Sequence, residues 1–153
     1  MEIVHVESAE QIEQVRALFE EYWASFGFMP CFQGFADEVA SLPGKYAPPD
    51  GRLGMALVDG VPAGCAAVRR WDATRCEGKR LYVRPQFRGL KVGLALLEWA
   101  FAEARGIGYR ELLGDTMPAM SQALSIYERM GFERIAPYME SPAPGAICLR
   151  YRL

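Results

Sequence analysis

The chain has 153 residues, enough for one domain, or two very small ones, that buries roughly 70% of its unfolded surface. Hydrophobic residues make up 51% and charged residues 24%, which excludes a disordered tail, a collagen-like repeat and a polar low-complexity segment. Lys and Arg total 17 against 19 Asp and Glu, a net charge of -2, so the basic surplus of a general nucleic-acid binder is missing, although a local basic patch stays compatible.

Ile3, Val4 and Val6 predict a short first strand. Ser8, followed three residues later by Gln11, fits a capping box, so a helix starts there. Ile12, Val15, Leu18, Phe19, Tyr22, Trp23 and Phe26 recur at spacings of three and four, an amphipathic stripe. A second, shorter helix is expected within 32–41, and 42–51 is loop by its Pro and Gly content. Residues 52–58 and 62–71 read as strands joined by Asp59-Gly60, a strong hairpin signal. A third strand, 75–83, is closed by Pro85, which cannot donate to a ladder. Residues 90–105 form a helix with Val92, Leu96 and Ala100 on one row, Leu97, Phe101 and Ala104 on the next, and Gly106 as its stop. A strand over 109–114 follows. A helix over 118–130 carries Met120, Leu124 and Tyr127 on one stripe and ends at Gly131. Strands over 133–136 and 146–153 complete a mixed α and β order without internal repeats or linkers.

Four cysteines, Cys31, Cys65, Cys76 and Cys148, include no C-x-x-C pair, and His5 is the single histidine. A zinc site would have to gather ligands from distant positions, so the expectation is reduced, mostly buried thiols in a cytosolic protein with no metal. The first twelve residues carry Glu2, Glu7 and Glu10 and lack the apolar core of a signal peptide. The most apolar stretch, 94–102, is broken by Glu98 and is far too short to span a bilayer.

The segment that carries chemistry is Leu81-Tyr-Val-Arg-Pro-Gln-Phe-Arg-Gly-Leu-Lys-Val-Gly93. A strand ends, and a short turn holding Arg88, Gly89 and Gly93 opens directly into a helix. The first helical turn has unpaired N–H groups and a partial positive charge. Glycine lets an anion approach that backbone, which makes the turn a phosphate cradle, and Arg88 and Lys91 add cationic donors. The plainer alternative is an ordinary strand-to-helix turn with solvated basic residues. The dinucleotide fingerprint G-x-G-x-x-G and the Walker loop are both absent.

Arg88-Gly-Leu-Lys-Val-Gly93 resembles the acetyl-CoA loop of the GNAT-type N-acetyltransferase superfamily: Gln or Arg, two residues, Gly, one residue, then Gly or Ala. Lys91 stands where the pattern has glycine. A positive φ there would cost lysine roughly 1–2 kcal/mol; the expectation is a backbone that is already helical, so that Lys91 costs little and reaches a phosphate. Asp115-Thr-Met-Pro-Ala-Met-Ser-Gln-Ala-Leu-Ser-Ile-Tyr-Glu-Arg-Met-Gly-Phe132 is similar to the family's second signature, an Asn before A-x-x-x-Y with a closing G-F. Ala123, Tyr127, Gly131 and Phe132 match, and Met120 replaces the Asn. Together the two signatures span about 77–132.

The resemblance implies a single N-acetyltransferase domain over 1–153 of α/β class (α+β by some schemes). Its sheet is mixed, mostly antiparallel and twisted, with about six to seven strands, helices on both faces and a splayed central strand pair. Acetyl-CoA fills the splay without help from a metal. The backbone of Leu81, Tyr82 and Val83 holds the pantetheine arm like an added strand, and a backbone N–H polarises the thioester carbonyl. The amides of Arg88, Gly89, Leu90, Lys91, Val92 and Gly93 hold the diphosphate. Tyr127 matches the family's general acid for the departing thiolate, the alternative being a core tyrosine on an apolar stripe. Glu77 resembles the strand glutamate used as general base, directly or through water. Its alternative is a structural carboxylate paired with Lys79 or Arg69. The acceptor pocket falls to about 22–35 and 137–145, with Tyr22, Trp23, Phe26, Phe28, Phe32 and Phe35 in the first and Pro137, Pro142, Pro144 and Gly145 stiffening the second. The implied reaction is acetyl transfer to a primary amine of a small molecule or peptide, in a homodimer with no membrane or nucleic-acid partner. Two other readings stay open: a non-catalytic acyl-CoA sensor, which would suit the replacements at Lys91 and Met120, and a binder of another phosphate ligand that shares only the turn.

Overall fold

The computed structural model describes residues 1–25, 34–140, 142 and 144–153; Phe26, Phe28, Cys31 and Phe32 lie outside them. Strand β1 (Glu2–His5) leads into helix α1 (Ala9–Ala24) through the capping box: Ser8 Oγ accepts the Gln11 N–H at 3.1 Å and Gln11 Oε1 accepts the Ser8 N–H at 3.0 Å. Helix α2 (Phe35–Ala40) follows, then the hairpin of β2 (Arg52–Val58) and β3 (Val61–Arg70). Asp59 and Gly60 take φ of 51° and 78°, the left-handed pair that matches the twist of two antiparallel strands. Strand β4 (Arg75–Val83), helix α3 (Val92–Ile107), strand β5 (Glu111–Thr116), helix α4 (Ser121–Arg129), β6 (Glu133–Ile135) and β7 (Ile147–Arg152) complete the order.

Several boundaries differ from the sequence expectation. Strand β5 begins at Glu111 and ends at Thr116, two residues later than expected at both ends, because the Tyr109 N–H is taken by the Ala104 carbonyl in the α3 cap. Helix α3 ends at Ile107, two residues beyond the expected 105, because Gly108 takes the left-handed cap (φ 111°) and its N–H satisfies the carbonyls of Ala104 and Arg105. It also starts later, at Val92, because Lys91 is left-handed (φ 62°, ψ 24°) and not helical. Lys91 is the N-cap and its carbonyl already accepts the Ala95 N–H at 3.1 Å, so the strain of roughly 1–2 kcal/mol is present after all. The helix expected over 118–130 is a 3-10 turn, Pro118–Met120, followed by α4.

The seven strands form one sheet in the order β1-β2-β3-β4-β5-β7-β6. Every neighbouring pair is antiparallel except β4 and β5, whose parallel pairing needs a long crossover, here α3. Alternation along the strands divides the core. Leu53, Met55, Cys65, Ala67 and Tyr82 face α1 and α2, against Val15, Leu18, Phe19 and Phe35. Ala56, Ala66, Val68, Cys76 and Leu112 face the other way, against Leu96, Leu97 and Phe101 of α3 and Leu124 of α4. Cys65, Cys76 and Cys148 are buried free thiols, and burial pushes Cys76 up to about 12, so it is inert at neutral pH. Among the described residues no helix is long and apolar enough to cross a membrane.

Candidate active site

The parallel ladder between β4 and β5 lasts three rungs: Arg75 opposite Glu111, Cys76 opposite Leu112, Glu77 opposite Leu113. Beyond Glu77 the strands part. Each keeps its outer neighbour: Cys65 and Gly64 of β3 still pair Tyr82 and Val83, while β7 still pairs Gly114, Asp115 and Thr116. The inner edges are therefore open, and their backbone groups have no strand partner across the gap.

Within the parted stretch β4 carries a bulge. Ala66 of β3 faces two residues, Arg80 and Leu81, between the Cys65–Tyr82 and Ala67–Lys79 pairs. Arg80 takes φ 59°, a costly conformation for an arginine. Its guanidinium, 5% exposed, donates to both oxygens of Glu38 on α2 at 2.8 and 2.9 Å. It also lies 5.0 Å from the centroid of Trp23 and 5.3 Å from that of Phe35, rings stacked on each other at 4.3 Å. The strained residue is thus held from both helices of that face.

The resulting cavity, about 1010 Å³ counting its open mouth, runs between Gly78–Leu81 on one bank and residues 114–117 on the other. Tyr22 and Trp23 of α1 close one side; Met120, Tyr127 and Phe132 close the opposite one. Tyr127 packs against the Phe132 ring at 5.4 Å, and burial alone pushes its phenol up to about 12. Met120, at the position where the pattern has Asn, offers its Sδ to the buried Thr116 hydroxyl at 3.4 Å, and its side chain has no N–H to donate.

Of the sequence-predicted residues, Leu81 and Tyr127 line this cavity. Tyr82 and Val83 continue β4 towards the turn, where Arg88 Nε donates to the Val83 carbonyl at 3.3 Å. Gly89 (φ 87°), Leu90, Lys91, Val92 and Gly93 carry the chain into α3, whose first N–H groups have no partner within the helix. A β-carbon on Gly93 would only touch Val83 Cγ2 at 3.5 Å, an ordinary contact, so packing within the chain does not require glycine there.

Glu77 is elsewhere: 1% exposed, on the last closed rung and outside the cavity lining. Arg69 donates to its Oε1 from Nε and Nη2, both at 2.7 Å, and the Tyr138 hydroxyl donates to Oε2 at 2.5 Å. Tyr138 follows β6 and meets Trp71 edge-on at 5.0 Å. Burial, then Glu77, raises its phenol, keeping it a donor.

Sequence reading missed Glu38, Arg80, Tyr138 and the Arg84–Glu21 pair (2.7 and 2.9 Å), which ties α1 to the end of β4. No local motif marks these residues, since their partners are tens of positions away. Lys79 and Asp115 face each other across the split at 4.0 Å. Among the described residues no group of three or more His, Cys, Asp or Glu is placed to hold a metal ion.

Residues 49–134 match the acetyltransferase (GNAT) domain model. An uncharacterized N-acetyltransferase of Schizosaccharomyces pombe is 33% identical over 150 residues, covering 97% of this chain and 92% of the relative. An acetyltransferase crystal structure from Streptococcus agalactiae superposes with a TM-score of 0.85 at 20% identity, over 99% of this chain and 98% of the other. The PaiA N-acetyltransferase of Thermoplasma acidophilum, solved in complex with coenzyme A, superposes with a TM-score of 0.74 at 19% identity over the full length of both chains.

Proposed function

The chain belongs to the GNAT acetyltransferase family and is an acyltransferase, and on that premise we propose that it moves an acetyl group from acetyl-CoA to a primary amine by direct attack in a ternary complex. The observation that carries this reading is the split itself. It joins an open strand edge, a buried phenol and, past the end of β4, a helix N-terminus.

In this reading the pantetheine arm lies along the free edge of Leu81, Tyr82 and Val83, and the diphosphate sits on the amides of 88–93. Arg88 releases the Val83 carbonyl as it turns to the phosphates. The amine lone pair forms the new C–N bond at the thioester carbon while a β4 N–H stabilises the oxyanion. As C–S breaks, Tyr127 donates towards sulfur. The acceptor ammonium sheds two protons: one reaches solvent, the other replaces the proton that ends on the thiol.

Glu77 serves this scheme as a brace that pins Tyr138 to β4, because both its oxygens are already engaged. Glu77→Gln is expected to lower stability by about 1–3 kcal/mol, since Arg69 loses its charged partner, and to raise KM for the amine. The alkaline rise of kcat/KM keeps its shape; a flattened rise would return Glu77 to the role of base. Lys91→Gly removes the left-handed strain and is expected to stabilise the fold by up to about 1 kcal/mol in urea denaturation. In the same variant acetyl-CoA affinity should fall several-fold as a phosphate ligand is lost. A large gain would mark the lysine as an obstruction.

A thiol-release assay across a panel of amines, with calorimetric titration of acetyl-CoA, tests the whole reading. Turnover with saturable acetyl-CoA binding is expected. Tight binding without turnover on any amine would favour a sensor, and failure to bind any CoA species would end both readings.

A further inference from the structure

We infer that Lys79 and Asp115 together recognise an acceptor that carries a carboxylate beside its amine, an amino-acid-like zwitterion; this deepens the acetyltransferase reading and rests on it. Lys79 lies two residues past Glu77 on β4, and Asp115 two past Leu113 on β5. Both side chains therefore leave the sheet on the face of Glu77 and Leu113. Lys79 opposite Ala67 identifies this as the α1 and α2 face, where Tyr138 also packs. The two residues stand on opposite banks of the split and both line the cavity.

Nζ and Oδ1 are 4.0 Å apart, and the side chains are only 10% and 16% exposed. That distance is beyond a hydrogen bond. The neighbouring acid–base pairs behave differently: Arg80–Glu38, Arg69–Glu77 and Arg84–Glu21 all close to between 2.7 and 2.9 Å. Arg80 also lines the cavity, but its fork is committed to Glu38, and the Thr116 hydroxyl is committed to Met120. Lys79 and Asp115 thus retain donors and acceptors aimed into the space. Two nearly buried charges that do not close on each other keep their desolvation cost until a third group completes them.

A zwitterion completes both. Its ammonium meets Asp115, its carboxylate meets Lys79, and the four charges alternate around a ring with no change in net charge. An acceptor that brings only cations meets the Lys79 ammonium unshielded. Asp115 and Tyr127 line the same cavity, so an amine held at Asp115 shares that space with the thiol acid.

The test compares free L-amino acids with their carboxamides and with the matching decarboxylated amines, using acetyl-CoA as donor. Calorimetric binding of the same compounds to protein saturated with coenzyme A is measured in parallel. Each free amino acid that is turned over should exceed its amide in kcat/KM by about 10–100-fold. Lys79→Met should bring that ratio to about one, and Lys79→Arg should restore it. Asp115→Asn should weaken amino acid and amide alike. Coenzyme A affinity and the thermal transition report whether each variant is folded. If no amino acid is preferred over its amide, in turnover or in binding, the zwitterion site is wrong while acetyl transfer to other amines stands. If carboxylate-selective, Lys79-dependent binding occurs without turnover, the zwitterion site stands and the catalytic reading falls.

Discussion

Tyr127→Phe is expected to lower kcat by about 10²–10⁴-fold while the acetyl-CoA dissociation constant stays within about threefold. The ring remains to pack on Phe132 and fill the cavity wall, so the loss isolates the hydroxyl. Burial favours the neutral phenol, with no charged partner acting on it. Tyr127 therefore ionises only at about 12, and the acid form persists through the neutral and mildly alkaline range. The wild-type rate should show no alkaline fall from this group below about pH 10, the value at which an ordinary phenol begins to ionise. The stability linkage has the same sign: the unfolded chain loses this proton first, so Tyr127 begins to destabilise the fold only as pH rises above that value. Single-turnover thiol release and titration calorimetry on the variant check both halves. Undiminished turnover would remove Tyr127 from the mechanism.

Glu38→Ala should cost about 3–5 kcal/mol in urea denaturation, the range for stranding a buried charge. Arg80 is 5% exposed, and without Glu38 its guanidinium keeps, among the described residues, the faces of Trp23 and Phe35. Acetyl-CoA affinity should fall with it, because the left-handed bulge at Arg80 shapes the β4 bank of the cavity. Arg80→Gly gives the contrast. It relieves the positive φ and leaves Glu38, whose side chain is 18% exposed, to rehydrate, so its cost should be smaller. A Glu38→Ala loss below about 1 kcal/mol would mean that the bulge stands without the ion pair.

Where a feature depends on residues within a few positions, the sequence was legible. The Ser8–Gln11 box, the Asp59-Gly60 hairpin and the apolar rows of α3 form as their spacing requires. The α3 boundaries were less legible, because Gly106 and Gly108 are both competent stops and the cap goes to the one whose N–H reaches the last carbonyls. Lys91 was misread for a related reason. Handedness at a cap depends on how the incoming turn approaches the helix, which residue type alone does not state.

By itself the sequence determined the family, the strand-to-helix turn before α3 and the tyrosine on α4, since each is written in a short run of neighbours. Tertiary structure alone decided what surrounds them. Arg80 meets Glu38 across 42 positions, Tyr138 meets Glu77 across 61 and Arg84 meets Glu21 across 63. Such pairs exist only after strand register is set and the helices have docked, because a one-residue slip of β4 would turn Arg80 and Glu77 to the opposite face.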